Sequence, residues 1–312
     1  MPKFLGISGF GYTFIFNLNR KKMKYDTQTL LFKETPFITK TRPQAVVPDQ
    51  FYSKGYAVLS GIKNPEQAAD LLSNLIAGID ADRLPLYGRF ASRIQLAKAD
   101  QIPVCDDVVE TSFQALHLDM GQPLISEHPQ TMYLITGLYL DPNAEPVSAK
   151  TRIISLQGIF ADENKWGAAS EIEQRLVNYV KAYGDGWADI NTHRLACFAR
   201  VMDAVGGTTD VAGFKDKTMG QWFINDKSVG AEECLKVERD FYSKHGIELA
   251  PIEQHIQLQP GQLLFFDNTR VAHGRFGQRK AKEVYQFMFG VENADPSDID
   301  TFRSAFVELL SN

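Results

Sequence analysis

The stretch Pro260–Arg279 reads PGQLLFFDNTRVAHGRFGQR, and the architecture hangs on it. Pro260-Gly261 is a turn signal. Leu263–Phe266 is an apolar run too short for a helix and aromatic enough for a buried strand. Asp267-Asn268 breaks the run, and Val271-Ala272-His273 resumes it. His273 therefore falls at a strand end beside a turn, where a polar side chain can face a cavity.

Its natural partner lies far upstream, in Ala115-Leu116-His117-Leu118-Asp119. In extended backbone alternate side chains share a face, so His117 and Asp119 point one way and Leu118 the other. Two imidazoles and one carboxylate make a facial triad, which leaves coordination positions open and suits non-haem Fe(II). His128 is the alternative third ligand, but the proline after it and its loop setting argue against it. His193 reads as a capping or surface residue, and His255, between Glu253 and Gln257 on a polar face, as solvent-side.

H-L-D followed at a distance by D-N-T-R-V-A-H-G-R after a P-G-Q-L turn resembles the Fe(II)/2-oxoglutarate-dependent dioxygenases, in particular the taurine-dioxygenase and clavaminate-synthase-like branch. Phe51–Gly61 (FYSKGYAVLSG) resembles that branch's opening strand. The likeness runs in patches from about residue 45 to 290. Any strand can carry H-x-D; its combination with the second segment makes the pattern specific.

The resemblance implies a mainly β fold with added helices, a double-stranded β-helix of the jelly-roll or cupin-like kind. It implies Fe(II) held by His117, Asp119 and His273, with 2-oxoglutarate as cosubstrate and O2 as oxidant. The implied reaction decarboxylates 2-oxoglutarate to succinate and CO2 and hydroxylates, desaturates or cyclises a small-molecule substrate, an amino-acid-like metabolite being one candidate. Asp119 matters for what it excludes, since related halogenases lack the carboxylate to make room for chloride.

The chain departs from the branch in two places. The usual Gly-Gly-x-Thr before the cosubstrate threonine is here Ser148-Ala149-Lys150-Thr151, so Thr151 is expected to assist with the carboxylate on weaker grounds. The arginine usually found on the closing strand is missing, because that window reads Glu283-Val284-Tyr285-Gln286. A buried carboxylate needs a cation. The nearest are Arg275, Arg279 and Lys282, with Arg279 and Lys282 preferred and not separated; Arg152 and Arg93 come next. Arg270 and Arg93 are further candidates to orient the site or an acidic group on substrate. Asn268 is a candidate to support the ligating histidines, which usually need such a partner.

Composition is ordinary for a globular chain: 44% hydrophobic and 23% charged over 312 residues, enough for a sizeable core. Net charge is -5 without a long basic run, so a nucleic-acid partner is not suggested. Three scattered cysteines, Cys105, Cys197 and Cys234, form no C-x-x-C pair and read as buried free thiols of a reducing, cytoplasmic setting. Residues 4–17 are apolar, but the charge follows them, the reverse of a secretory signal, and the run is too short to span a membrane. Residues 1–22 are expected to be a disordered or misassigned N-terminal extension, with 23–312 a single catalytic domain. Oligomeric state is not legible.

Along the chain, 51–62 reads as strand and turn, 80–110 as irregular, and 247–258 as a half-exposed strand. Asn64-Pro65 opens a helix to about residue 78. Residues 131–140, 151–156 and 284–289 read as strands, and 171–182, 191–205, 231–242 and 298–309 as helices. The segment 160–245, with Trp166, Trp187 and Trp222, is expected to be a helical insertion acting as a substrate lid. Two other readings compete: a non-catalytic binding or regulatory protein on the same fold, which the missing arginine favours, and a zinc hydrolase, which lacks an H-E-x-x-H or an acid-base carboxylate beside the ligands.

Overall fold

The computed structural model of the chain describes residues 45–101, 113–119, 130–145, 147–160, 168, 170–171, 173–174, 231–244, 246–277 and 284–311. Residues 1–22, His128, His193, the three tryptophans, Cys105, Cys197, Arg279, Lys282 and the two helices expected within 171–205 lie outside these, apart from the few positions given around 170. The elements run α1 (Asp49–Lys54), β1 (Tyr56–Leu59), α2 (Pro65–Ala77), α3 (Pro85–Phe90), β2 (Gln95–Gln101), β3 (Phe113–His117), β4 (Gln130–Leu140), β5 (Lys150–Ser155), α4 (Leu156–Phe160), α5 (Ala231–Lys244), β6 (Glu253–Ile256), β7 (Leu263–Asp267), β8 (Val271–Phe276), β9 (Val284–Ala294) and α6 (Pro296–Ser311).

The strands form two antiparallel sheets, ordered β1-β7-β4-β9-β2 and β3-β8-β5-β6. The consecutive strands β7 and β8 belong to different sheets, so the Asp267–Arg270 turn carries the chain from one to the other. The turn is built from its own side chains: Thr269 donates its backbone N–H (2.8 Å) and its hydroxyl (2.5 Å) to Asp267 Oδ1. Asp267 is wholly buried, and burial pushes its carboxyl pKa up, while the Arg270 charge and the Thr269 bonds work the other way.

Alternation on the strands divides the apolar residues between two layers. Tyr56, Leu264, Phe266, Leu140 and Val284 of the first sheet pack with Ile153 and Val271 of the second. The opposite face of the first sheet, with Phe265, Ile135 and Phe287, is covered by α2, α3 and α6. Gly137 of β4 lets α2 approach closely there: a Cβ at this position would stand 2.4 Å from Leu72 Cδ1, which would have to move. Helix α2 begins as its sequence dictates: Asn64 Oδ1 accepts from Gln67 N (2.7 Å), and Pro65 occupies the first turn, where its missing N–H costs nothing.

Three local expectations differ from what folds. Residues 49–54 form α1 before β1 begins at Tyr56; Gly55, at φ 77°, takes the left-handed conformation that ends the helix, its N–H bonding to Phe51 O. The segment read as irregular holds α3 and β2, the latter an edge strand whose exposed polar residues mask its pairing with β9. The strand expected over 247–258 shortens to Glu253–Ile256, because Ile252 N and Glu253 N both bond to Leu249 O in a turn around Pro251. Among the described residues, no helix is long and apolar enough to cross a membrane.

Candidate metal centre

His117 is the last residue of β3 and sits opposite His273 of β8 in the ladder. The two are 2% and 6% exposed, and their rings lie 4.2 Å apart, tilted by 51°. Asp119 follows two residues after β3 and reaches both: His117 Nε2 stands 3.6 Å from its Oδ1, and His273 Nε2 3.6 Å from its Oδ2. All three donor atoms lie within 4.8 Å of one another. Donors about 2.1 Å from a shared first-row ion, and at right angles to each other, stand about 3 Å apart. The set therefore fits such an ion with shifts of an ångström or so. The Phe266 ring, 4.5 Å from that of His273, closes one side with apolar surface.

The carboxylate is held by a directional relay. Asn268 Nδ2 donates to Tyr133 O and to Thr136 Oγ1, both at 2.9 Å. A carbonyl can only accept, so the amide orientation is fixed. Since Thr136 Oγ1 accepts from Asn268, its own proton points to Asp119 Oδ2, at 3.0 Å. Asn268 comes from the turn between the sheets, which explains why polar residues sit there. Thr136 carries no signal in the sequence, because a threonine in a strand is ordinary. Tyr133 is a second such residue; burial and the Asp119 charge both push its phenol pKa up.

The other sequence candidates separate by face. On β8, His273 and Arg275 alternate onto the same side, and on β5 Thr151 and Ile153 do so. The ladder sets Ile153 opposite His273 and Thr151 opposite Arg275. Arg275 and Thr151 are thus neighbours one pair along from His273, on the side that packs toward the first sheet. Val284, in the window of the missing arginine, is buried among Ile153, Val271 and Phe266. Arg152 alternates onto the other side, where it is wholly buried against Glu238 and Glu253. Arg270 donates to Phe51 O and Tyr52 O, carbonyls in the last turn of α1. Arg93 grips Asp298 at the start of α6 with both terminal nitrogens, at 2.6 and 2.7 Å. These last three are engaged away from the triad, and Arg279 and Lys282 lie outside the described residues.

The described strands form two antiparallel sheets with a His-Asp-His cluster at a strand end. No family model and no curated protein matches the sequence. Solved structures do: an asparagine oxygenase (10% identity over 78% of this chain and 76% of that one, TM-score 0.35). AAD-2 in complex with Mn(II) and N-oxalylglycine is similar at 13% identity over 78% and 88%, with a TM-score of 0.37. An asparagine oxygenase in complex with Fe(II), 2S,3S-3-hydroxyasparagine and succinate is similar at 11% over 78% and 77%, with a TM-score of 0.33. These likenesses are distant, and the functional reading rests on the chain's own residues.

Proposed function

We propose that this chain is a non-haem Fe(II)/2-oxoglutarate-dependent oxygenase acting on a small molecule such as an amino-acid-like metabolite. The observation that carries the reading is the convergence of His117, Asp119 and His273 within 4.8 Å. Two neutral imidazoles and one carboxylate suit Fe(II) and leave one face of an octahedral ion open. The fold behind it is read as a double-stranded β-helix: two antiparallel sheets share an apolar layer, and the turn between them supplies Asn268.

When bound, the metal with 2-oxoglutarate and O2 supplies the oxidation, releasing succinate and CO2. The chain supplies position and dryness. Thr136, itself held by Asn268, turns one oxygen of Asp119 into a hydrogen-bond acceptor of fixed direction and so fixes the other toward the ion. Phe266 keeps water from one side of His273. Arg275, with Thr151 opposite, offers a guanidinium and a hydroxyl to the distal carboxylate of the cosubstrate; Arg279 and Lys282 are the remaining candidates. A cation is required, since a buried carboxylate without a partner costs several kcal/mol. Residues 160–245 are read as the lid that sets substrate choice, within one catalytic domain spanning 23–312. The setting is read as cytoplasmic, with no nucleic-acid or membrane partner.

The burial of Val284 where the branch usually has arginine favours a second reading, a non-catalytic binding protein on the same fold. One measurement separates the two: Fe(II)-dependent succinate release from 2-oxoglutarate, with candidate amino-acid substrates present. Release that vanishes in His273→Ala supports the oxygenase. Fe(II) binding with neither 2-oxoglutarate binding nor succinate supports the alternative.

A further inference from the structure

The face of the β3-β8-β5-β6 sheet turned away from the triad carries buried charge that the chemistry above does not use. Arg152 of β5 pairs with Glu238 of α5 and with Glu253 of β6, and Glu253 also takes Arg239 of α5 at 2.9 Å. Two guanidiniums face two carboxylates, so this cluster carries no net charge. Glu238 does one thing more. Its Oε1 accepts the buried backbone N–H of Leu116 at 2.7 Å, and Leu116 immediately precedes His117.

Strand β3 has reason to need this bond. It lies at the edge of its sheet, and its register against β8 shifts between Gln114 and His117. An edge strand presents N–H groups without a ladder partner. A buried one left unpaired costs about 1–3 kcal/mol, and a bond to a carboxylate is among the stronger replacements. The other oxygen of Glu238 is held by Arg152, which belongs to β5 on the far side of β8. To reach it, the guanidinium must lie across β8. Its ladder partner there is Gly274, whose position on this face carries no side chain to block the crossing. The guanidinium carbon lies 5.3 Å from the ring centre of Phe113, on β3.

We propose that Glu238 is a positioning residue for His117, fixing the end of β3 through the Leu116 N–H, and that Gly274 is the gap through which Arg152 steadies it. This rests on the reading of His117, Asp119 and His273 as metal ligands. It also ties α5, at the end of the 160–245 segment, to the strand that bears His117.

The test compares Glu238→Ala, Glu238→Gln and Glu253→Gln in the full chain. Amide exchange at Leu116 and the imidazole resonances of His117 are read in the metal-free protein, and Fe(II) affinity by anaerobic titration. Glu238→Ala is expected to speed Leu116 exchange, to give His117 more than one environment and to weaken Fe(II) binding by about tenfold or more, the scale of lost ligand support. Glu238→Gln keeps an oxygen that can accept from Leu116 and is expected to restore most of all three. Glu253→Gln breaks the same network without touching β3; it is expected to lower thermal stability and leave Leu116, His117 and Fe(II) affinity as in the wild type. Equal loss in Glu253→Gln, or unchanged Fe(II) affinity in a folded Glu238→Ala, overturns the proposal. Should Glu238→Ala not fold, a Glu238→Gln protein with scattered His117 resonances overturns it as well, and one with a single set supports it. A wild type that binds no Fe(II) defeats the metal reading, and the His117 resonances then still decide whether Glu238 places the ring.

Discussion

The two faces of the β3-β8-β5-β6 sheet use the same strands and treat charge in opposite ways. On the face toward the first sheet, β8 presents His273 and Arg275, and β5 presents Thr151 opposite Arg275. On the other, β5 presents Arg152 to two glutamates that satisfy it from both sides. One face leaves donor atoms aimed at a common point; the other neutralises its charges in place. The contrast teaches that burial of a charged residue near a site does not make it part of the site. What decides is the direction in which alternation sends the side chain.

The largest effects should come from the inner face. His117→Ala and His273→Ala are each expected to reduce Fe(II) binding below detection in anaerobic titration while the chain stays folded by circular dichroism. Wild-type Fe(II) affinity in both variants would remove the metal centre altogether.

The comparison is sharpest between two arginines one strand apart. Arg275→Ala is expected to weaken 2-oxoglutarate binding by about a hundredfold or more, the scale on which a buried charge loses its partner. Arg152→Ala should weaken 2-oxoglutarate binding far less than Arg275→Ala, any loss coming through Glu238 and β3. Its main effect should be to destabilise the fold by about 3–5 kcal/mol, since Glu238 and Glu253 would remain buried without it. Denaturant unfolding and cosubstrate titration on both variants read the pair. If Arg275→Ala binds 2-oxoglutarate normally, the cation is Arg279 or Lys282.

Below these comes the relay behind Asp119. Thr136→Val keeps the shape and removes the hydroxyl, and Asn268→Ala removes the amide that directs it. Each is expected to cost about tenfold in Fe(II) affinity, and the double variant little more than either alone, because both act through one hydrogen bond. Additive losses would mean that the relay is not a single path.

The sequence carried the triad because its residue types are rare in strands and their spacing matches the period of extended chain. It carried the strands at Leu263–Phe266 and Thr131–Leu140 because the first is a continuous apolar run and the second is apolar but for two threonines and a glycine. It carried the start of α2, whose cap and proline are local chemistry. It did not carry Thr136 or Glu238, since a threonine in a strand and a glutamate in a helix are the bland default at such positions. Only the third dimension sets one beside Asp119 and the other beside Leu116. Of the D-N-T-R turn the sequence singled out Asn268 as support for the histidines and Arg270 as a site residue, without showing what either side chain meets. Asp267 builds the turn, Asn268 holds Thr136 beside Asp119, and Arg270 bonds to carbonyls of α1, a division among neighbours that depends on what each side chain meets. The opening of the chain misled for a similar reason: Phe51–Gly61 alternates like a strand, yet the first part coils into α1 because Gly55 can end a helix there.

The smallest effect concerns pH and separates the two carboxylates of the outer face. Burial raises the carboxyl pKa of both, but their surroundings differ. Glu253 meets Arg152, Arg239 and His255, and these outweigh burial and hold it below the ordinary carboxylate range. Glu238 is deeper and meets Arg152 alone among charged groups of opposite sign, so burial prevails and its pKa is raised. For Glu253 the unfolded chain binds the proton more readily than the folded one. Its contribution is therefore present above the unfolded value of about 4.3 and is lost as pH falls through the lower folded value. For Glu238 the sign reverses: its contribution is present below the unfolded value and is lost as pH rises through the raised folded one. Thermal unfolding of the metal-free protein from acid to neutral pH should therefore respond oppositely to two like substitutions. Glu253→Gln should flatten the acid limb of the stability curve, and Glu238→Gln the decline on the other side. Each effect should be a few degrees at most, since about 1 kcal/mol moves Tm by about 2–4 °C in domains of 150–250 residues. If both substitutions change the same limb in the same direction, the two glutamates titrate as one unit, and the division of labour drawn between them on this face is wrong.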